Sequence, residues 1–282
     1  MSNVTQRLAA ARNHWWGERI VHLQGFEAAY EFVSQYDVQN GPLYVLFMSD
    51  ADESGHYWCP DCEKAKQPIR VGEPAYWKDD NNEFRQNQLF YIDYIPTLMR
   101  YDGGGNSSAM LVEQYTLDAN LLDYVFRVPN PMAGKPHNNQ IMTIDDAKAL
   151  RSYLDAYDAS YPLFVFFLSG VHSFNGRLWC PYCDKADVAI MHYYNYTAPD
   201  NAVFIRAPVA ASYKDWKRPD NGFKSQDFRD NVVSLRGVPF LGRAKKNIKT
   251  GKIQMEEFAP EFFETQLLKD FFIAASASTF DD

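Results

Sequence analysis

The sequence predicts an α/β protein written twice in tandem, each half a mixed sheet with helices on both faces. Three observations carry this. The phrase "WCPDC" (58–62) returns as "WCPYC" (179–183), and a buried-type apolar run precedes each copy. Each half then closes on a hairpin pattern followed by an amphipathic helix.

The elements follow in order. "RIVHL" (19–23) reads as a short strand, and "FEAAYEFVSQY" (26–36) has helical spacing at Phe26, Ala29, Tyr30 and Val33. "PLYVLFM" (42–48) is a continuous apolar run of strand length, the pattern of a strand covered on both faces of a parallel sheet. The cysteine phrase follows and opens a helix. "TLMRY" (97–101) and "AMLVEQY" (109–115) flank "DGGGNSS" as a hairpin, and "LDANLLDYVF" (117–126) is a closing helix. The second half repeats this order, with "IDDAKALRSYLDAY" (144–157), "PLFVFFLSG" (162–170) and "PEFFETQLLKDFF" (260–272). The stretch "FRVPNPMAGKPHNNQ" (126–140), with three prolines and a glycine, marks the joint. The first domain is therefore expected over 1–128, a linker over 129–139 and the second domain over 140–282.

Of the 282 residues, 46% are hydrophobic and 16% aromatic, enough for two cores and an argument against general disorder. The net charge of −8, with no basic cluster, argues against nucleic acid as a partner. No run approaches the length of a membrane span, and the first residues hold no apolar stretch of the signal-peptide kind. All four cysteines sit in the two motifs, leaving none to staple distant segments, so the expected compartment is the reducing cytoplasm.

The motif has a chemical logic. A cysteine at the start of a helix, followed by proline at the first helical position, places its sulfur over unsatisfied N–H groups and the positive end of the helix dipole. Both favour thiolate. The second cysteine lies three residues on, on the same helical face and within disulfide range. Cys59 and Cys180 are thus candidate nucleophiles, with Cys62 and Cys183 as resolving thiols; Pro60 and Pro181 set the helix start. The Ile95-Pro96 and Val238-Pro239 bonds, ahead of the hairpin strand in each half, are candidate cis bonds that would offer backbone groups to an extended substrate.

"WCPDC", "VGEPAYWKDDNNEFRQN" and "YIPTLMRY" resemble the thioredoxin-related WCPDC oxidoreductases, the cytosolic thioredoxin-domain-containing proteins. The resemblance covers about residues 19–128 and, more loosely, 140–272. It implies a tandem of thioredoxin-like domains and reduction of selected protein, cystine-like or persulfide substrates. No bound cofactor is implied; electrons would come from NADPH through thioredoxin reductase as partner. By the same resemblance Cys59 attacks, Cys62 resolves, Trp58 flanks, Asp61 tunes the pair and Pro96 is the cis-proline; Trp179 stands at the flanking position of the second copy.

The copies differ. Tyr182 replaces Asp61, and since a carboxylate between the thiols opposes thiolate, the two sites should differ in redox poise. Trp77 and Trp216 are 139 apart against 121 for the cysteines, so 18 residues of the second copy are missing from the first. The expected consequence is a first domain that lacks the end of its motif helix, stopped at Pro68, and that either lacks a central strand or pairs its sheet in a modified way. Two alternatives keep weaker support. One is a Cys₄ zinc site, whose pairs would be 117 residues apart instead of the usual 15–20 or so; the other is a thioredoxin-fold binding module without turnover.

Overall fold

The computed structural model describes residues 20–65, 69–127, 140–247, 249–274 and 279–280. The chain divides into two compact units, one ending at Phe126 and the other beginning at Arg127. The linker expected at 129–139 and the helix stop expected at Pro68 lie outside the described residues.

The first unit runs β1 (Leu23–Gln24), α1 (Phe26–Ser34), β2 (Leu43–Met48), α2 (Pro60–Ala65), β3 (Ile69–Arg70), α3 (Pro74–Trp77), α4 (Glu83–Gln86), β4 (Thr97–Gly103), β5 (Asn106–Val112) and α5 (Ala119–Arg127). The second unit runs β6 (Gln140–Thr143), α6 (Ala147–Ala156), β7 (Leu163–Leu168), α7 (Pro181–Thr197), β8 (Val203–Pro208), α8 (Tyr213–Lys217), α9 (Gln226–Asn231), β9 (Phe240–Asn247), β10 (Ile253–Glu257), α10 (Thr265–Ile273) and β11 (Thr279–Phe280). The sheet orders match: β1-β3-β2-β4-β5 and β6-β8-β7-β9-β10, with β11 paired to β9. Both sheets are mixed. The central strand β2 is parallel to β3 and antiparallel to β4, and β7 is parallel to β8 and antiparallel to β9.

An apolar run can be buried along its whole length only where both sheet faces are covered. In the second unit they are. Leu163, Val165 and Phe167 of β7 pack with Leu150 and Leu154 of α6 and with Phe228 of α9. Phe164 meets Tyr194 of α7 and Phe272 of α10 on the opposite face. All six β7 residues are buried. Local signals agree with this packing: Asp146 caps α6 by accepting from the Ala149 N–H at 2.8 Å.

The first unit departs from the expected pattern. Val45, Phe47 and Met48 of β2 are buried, with Phe47 packed against Phe84 and Phe90, but Leu43, Tyr44 and Leu46 are only half-buried. The cause is the motif helix. α7 has 17 residues and buries Val188, Ile190, Met191 and Tyr194 beyond its first turns, whereas α2 is described over six residues and β3 already begins at Ile69. The helix end is missing, as the 18-residue gap implies. The strand is not lost, which corrects that expectation: Ile69–Arg70 still pairs with both β1 and β2. The crossover from Met48 to Ile69 includes the motif loop and α2, so it spans more than the dozen residues a parallel return needs. The shortness of β3 also explains β1. Only two partners exist for it, so among the described residues from 20 on strand structure is confined to Leu23–Gln24, against the expected 19–23, whose first residue lies outside the described ones.

The hairpin glycines Gly103, Gly104 and Gly105 all have positive φ (90°, 58° and 85°), a backbone that side chains resist, so their place in the turn is conformational.

Each large side chain fully buried contributes about 1.5–3 kcal/mol. Without the counterparts of Ile190, Met191 and Tyr194, the first unit should be the weaker one. In calorimetry or urea unfolding of the full chain followed by hydrogen exchange, amides of residues 43–48 and 97–112 are expected to open before those of 163–168 and 203–208. A single transition in which both sets open together would contradict this.

Candidate active site

In each unit the motif sits where the central strand ends. Strand β2 runs into Ser49 and β7 into Ser169, both fully buried. The Ser49 hydroxyl accepts from the Cys59 N–H at 3.4 Å, and the Ser169 hydroxyl from the Cys180 N–H at 3.1 Å. The Ser49 N–H in turn donates to Cys62 Sγ at 3.4 Å. Pro60 and Pro181 are the first helical residues of α2 and α7, and the nucleophile carbonyls accept the first helical bonds, from Glu63 and Asp184, each at 3.0 Å. The loop before each helix is pinned as well: the Tyr57 N–H donates to Glu63 at 2.9 Å, and the Leu178 N–H to Asp184 at 3.3 Å.

All four cysteines are free and buried thiols. Within each pair the partners are strongly unequal. Hydrogen bonding from the Cys62 thiol lowers Cys59 to about 6. The Cys62 and Asp61 N–H groups help, while burial and the Asp61 charge oppose. The Cys62 N–H lies 3.4 Å from the Cys59 sulfur. Cys62 is pushed well up, first by its bond to Cys59 and then by burial. Cys180 is lowered to about 7 by the Cys183 thiol and the Cys183 and Tyr182 N–H groups, against burial and the Asp184 charge. Cys183 is pushed up by burial first and by its bond to Cys180 second. Each site therefore holds one thiol poised to ionise and one held protonated.

The Asp61 expectation needs amending. Its charge does oppose the thiolate, but it is partly exposed and 3.4 Å from Lys64, which weakens it. Nor is the second site free of an opposing carboxylate, since Asp184 stands there, anchored to the buried Arg177 at 3.2 Å.

The Ile95-Pro96 and Val238-Pro239 bonds are both cis. They lie beside the motifs: Cys59 Sγ is 3.5 Å from the Ile95 carbonyl oxygen, and Cys180 Sγ is 3.5 Å from that of Val238. Trp58 and Trp179 are half-buried and donate their indole N–H to the Gly72 and Ala210 carbonyls at 3.1 and 2.9 Å. Tyr182 points outward and is 67% exposed. The two buried serines carried no sequence signal beyond their matching place after "LFM" and "FFL". The Asp187–Arg206 pair, one turn beyond Cys183 and bidentate, carried none. Among the described residues no cluster of three or more His, Cys, Asp or Glu side chains could hold a metal ion, and no helix is long and apolar enough to cross a membrane.

Comparison with known proteins gives the family of both halves. A family model described as "Thioredoxin domain-containing protein 17-like, thioredoxin domain" matches twice, over residues 22–128 and 144–273. Human thioredoxin domain-containing protein 17 is 33% identical over 122 residues, which is 38% of this chain and 93% of that protein. The rice thioredoxin-like protein Clot is 27% identical over 128 residues, 37% of this chain and 89% of that one. Among solved structures, full-length ERdj5 aligns at 10% identity with a TM-score of 0.34, covering 95% of this chain; the chain spans about a third (34%) of that structure.

Two measurements follow. Alkylation by iodoacetamide should rise with pH as each nucleophile loses its proton, with midpoints near pH 6 for Cys59 and near pH 7 for Cys180, read by mass spectrometry of the labelled peptides. Midpoints near the ordinary thiol value of about 8.5 would contradict the assignment. Ser169→Ala removes the acceptor of the buried Cys180 N–H and should lower the stability of the second unit by about 1–3 kcal/mol, seen as a lower urea midpoint.

Proposed function

Because the chain belongs to the thioredoxin domain-containing protein 17-like family in both of its halves, we propose that it is a dithiol–disulfide oxidoreductase with two sites, reducing selected disulfides. The carrying observation is the inequality inside each cysteine pair: a lowered outer thiol hydrogen-bonded by a raised, buried one.

The steps balance in atoms and electrons. The Cys59 or Cys180 thiolate attacks one sulfur of the substrate disulfide; the S–S bond breaks, and the departing sulfur leaves as thiolate and takes up a proton. The enzyme is then a mixed disulfide. Cys62 or Cys183 loses its proton and attacks the outer cysteine sulfur; the bond to substrate breaks, and the second substrate sulfur leaves as thiolate and takes up a proton. Two electrons and two protons have passed to substrate, and the enzyme holds a disulfide. The charge that made the resolving thiol a poor acid disappears once the outer sulfur is bonded, so Cys62 and Cys183 ionise more readily at that stage than before. The carbonyls of Ile95 and Val238, beside the outer sulfurs, mark where an extended substrate segment would lie. We assign substrate contact there to Trp58 and Trp179, Pro60 and Pro181, Asp61 and Tyr182, and Pro96 and Pro239 as well.

Resetting the enzyme needs a two-electron donor. We assign this to NADPH through thioredoxin reductase, in the cytoplasm, with protein, cystine-like or persulfide sulfurs as substrates. In an insulin- or cystine-reduction assay driven by NADPH and thioredoxin reductase, the Cys59→Ser/Cys180→Ser double variant should lose turnover. Each single variant should retain the other site's share, and Cys62→Ser or Cys183→Ser should accumulate mixed disulfide. A folded wild-type chain inactive toward both substrates would sink the proposal.

A further inference from the structure

The two sites share their sulfur chemistry but not their rims. In the second unit Tyr182 is 67% exposed and Tyr213 is 59% exposed. Tyr213 stands edge-on to Trp179, ring centres 5.9 Å apart, and so extends the surface next to Cys180. The Lys217 ammonium lies 5.0 Å from the centre of the Tyr213 ring, and Lys214 and Arg236 are exposed. Arg236 is two residues before Val238, whose carbonyl faces the Cys180 sulfur. The ledge of Val238, Pro239 and Phe240 is half-buried and thus reachable. The nearby carboxylates are engaged: Asp184 with Arg177, Asp215 with Ser212, and Asp220 with Arg218.

The first unit answers each feature differently. Asp61 stands for Tyr182, and Asp93 occupies the place of Arg236, two residues before Ile95. Exposed Glu73 follows Gly72, the residue that accepts from Trp58. The ledge of Ile95, Pro96 and Thr97 is buried. Among the described residues, Lys64 and Lys78 are exposed cations of this half, and Lys64 is paired with Asp61.

Two large exposed aromatics, one between the cysteines and one against Trp179, are a recognition surface more readily than a packing one, and Lys217 over Tyr213, with exposed Lys214 beside Tyr213 in the chain and Arg236 just before Val238, sets the sign of what docks. Resting on the reductase reading, we propose that the second site selects disulfides in peptide segments carrying acidic residues beside an aromatic side chain, and that the first site lacks this preference. The aromatic side chain would lie on Tyr182 and Tyr213, and the carboxylates would meet Lys214, Lys217 and Arg236. The bonds made and broken are those already described, with NADPH and thioredoxin reductase as the electron source.

The test uses the full chain with the first site silenced as Cys59→Ser/Cys62→Ser. Two disulfide-linked peptides of equal length, one with Asp and one with Lys flanking a Cys-Phe core, are compared by kcat/KM. The acidic peptide should be favoured about tenfold at low salt, with the preference shrinking at roughly 0.5 M salt. Lys217→Glu/Arg236→Glu, both surface positions, should reverse it. Equal rates for the two peptides, or a preference indifferent to salt and to charge reversal, would overturn the selectivity while leaving the reductase intact. Failure of both the silenced and the wild-type chain to reduce either peptide, or insulin, would overturn the parent reading and this one with it.

Discussion

Everything at each site depends on one hydrogen bond: the inner thiol donating to the outer sulfur at the first turn of a helix. Cys62 and Cys183 are fully buried, where a charge is costly, while Cys59 and Cys180 lie against backbone N–H groups that welcome one. The same bond lowers one partner and raises the other. A dithiol arranged in this way is reactive at neutral pH and still keeps its second proton until the first sulfur has been used.

This dependence is local, which accounts for the asymmetry of the halves. The groups that hold the nucleophile are the serine after the central strand, the proline after the cysteine, and the first turn of the motif helix. All are present in both units. The part of the helix that the first unit lacks lies beyond that turn and covers the sheet. Its absence leaves Tyr44 and Leu46 half-buried, where Phe164 and Phe166 are fully covered. Site chemistry and domain stability are therefore separable here, and the first unit keeps the former on a thinner core.

What was legible in the sequence follows the same division. The tandem order, the helix-start cysteines and the two prolines before the hairpins rest on short-range patterns that a single chain displays. The fate of the third strand does not. Ile69–Arg70 has no periodicity of its own, and its place between β1 and β2 is fixed by partners some twenty or more residues away. Ser49 and Ser169 follow the two apolar runs at matching places, but a hydroxyl at a strand end has no pattern that announces an acceptor. The charge of Asp61 is plain in the sequence, but its weight depends on Lys64 and solvent, and the opposition of Asp184 to the Cys180 thiolate depends on the built helix.

The inequality within each pair is best tested by following the ¹³Cβ shifts of all four cysteines from about pH 4 to about pH 10 in the reduced chain. The account predicts that Cys62 and Cys183 keep their protons across the range in which Cys59 and Cys180 lose theirs. Inner thiols that titrate together with, or ahead of, the outer ones would contradict it.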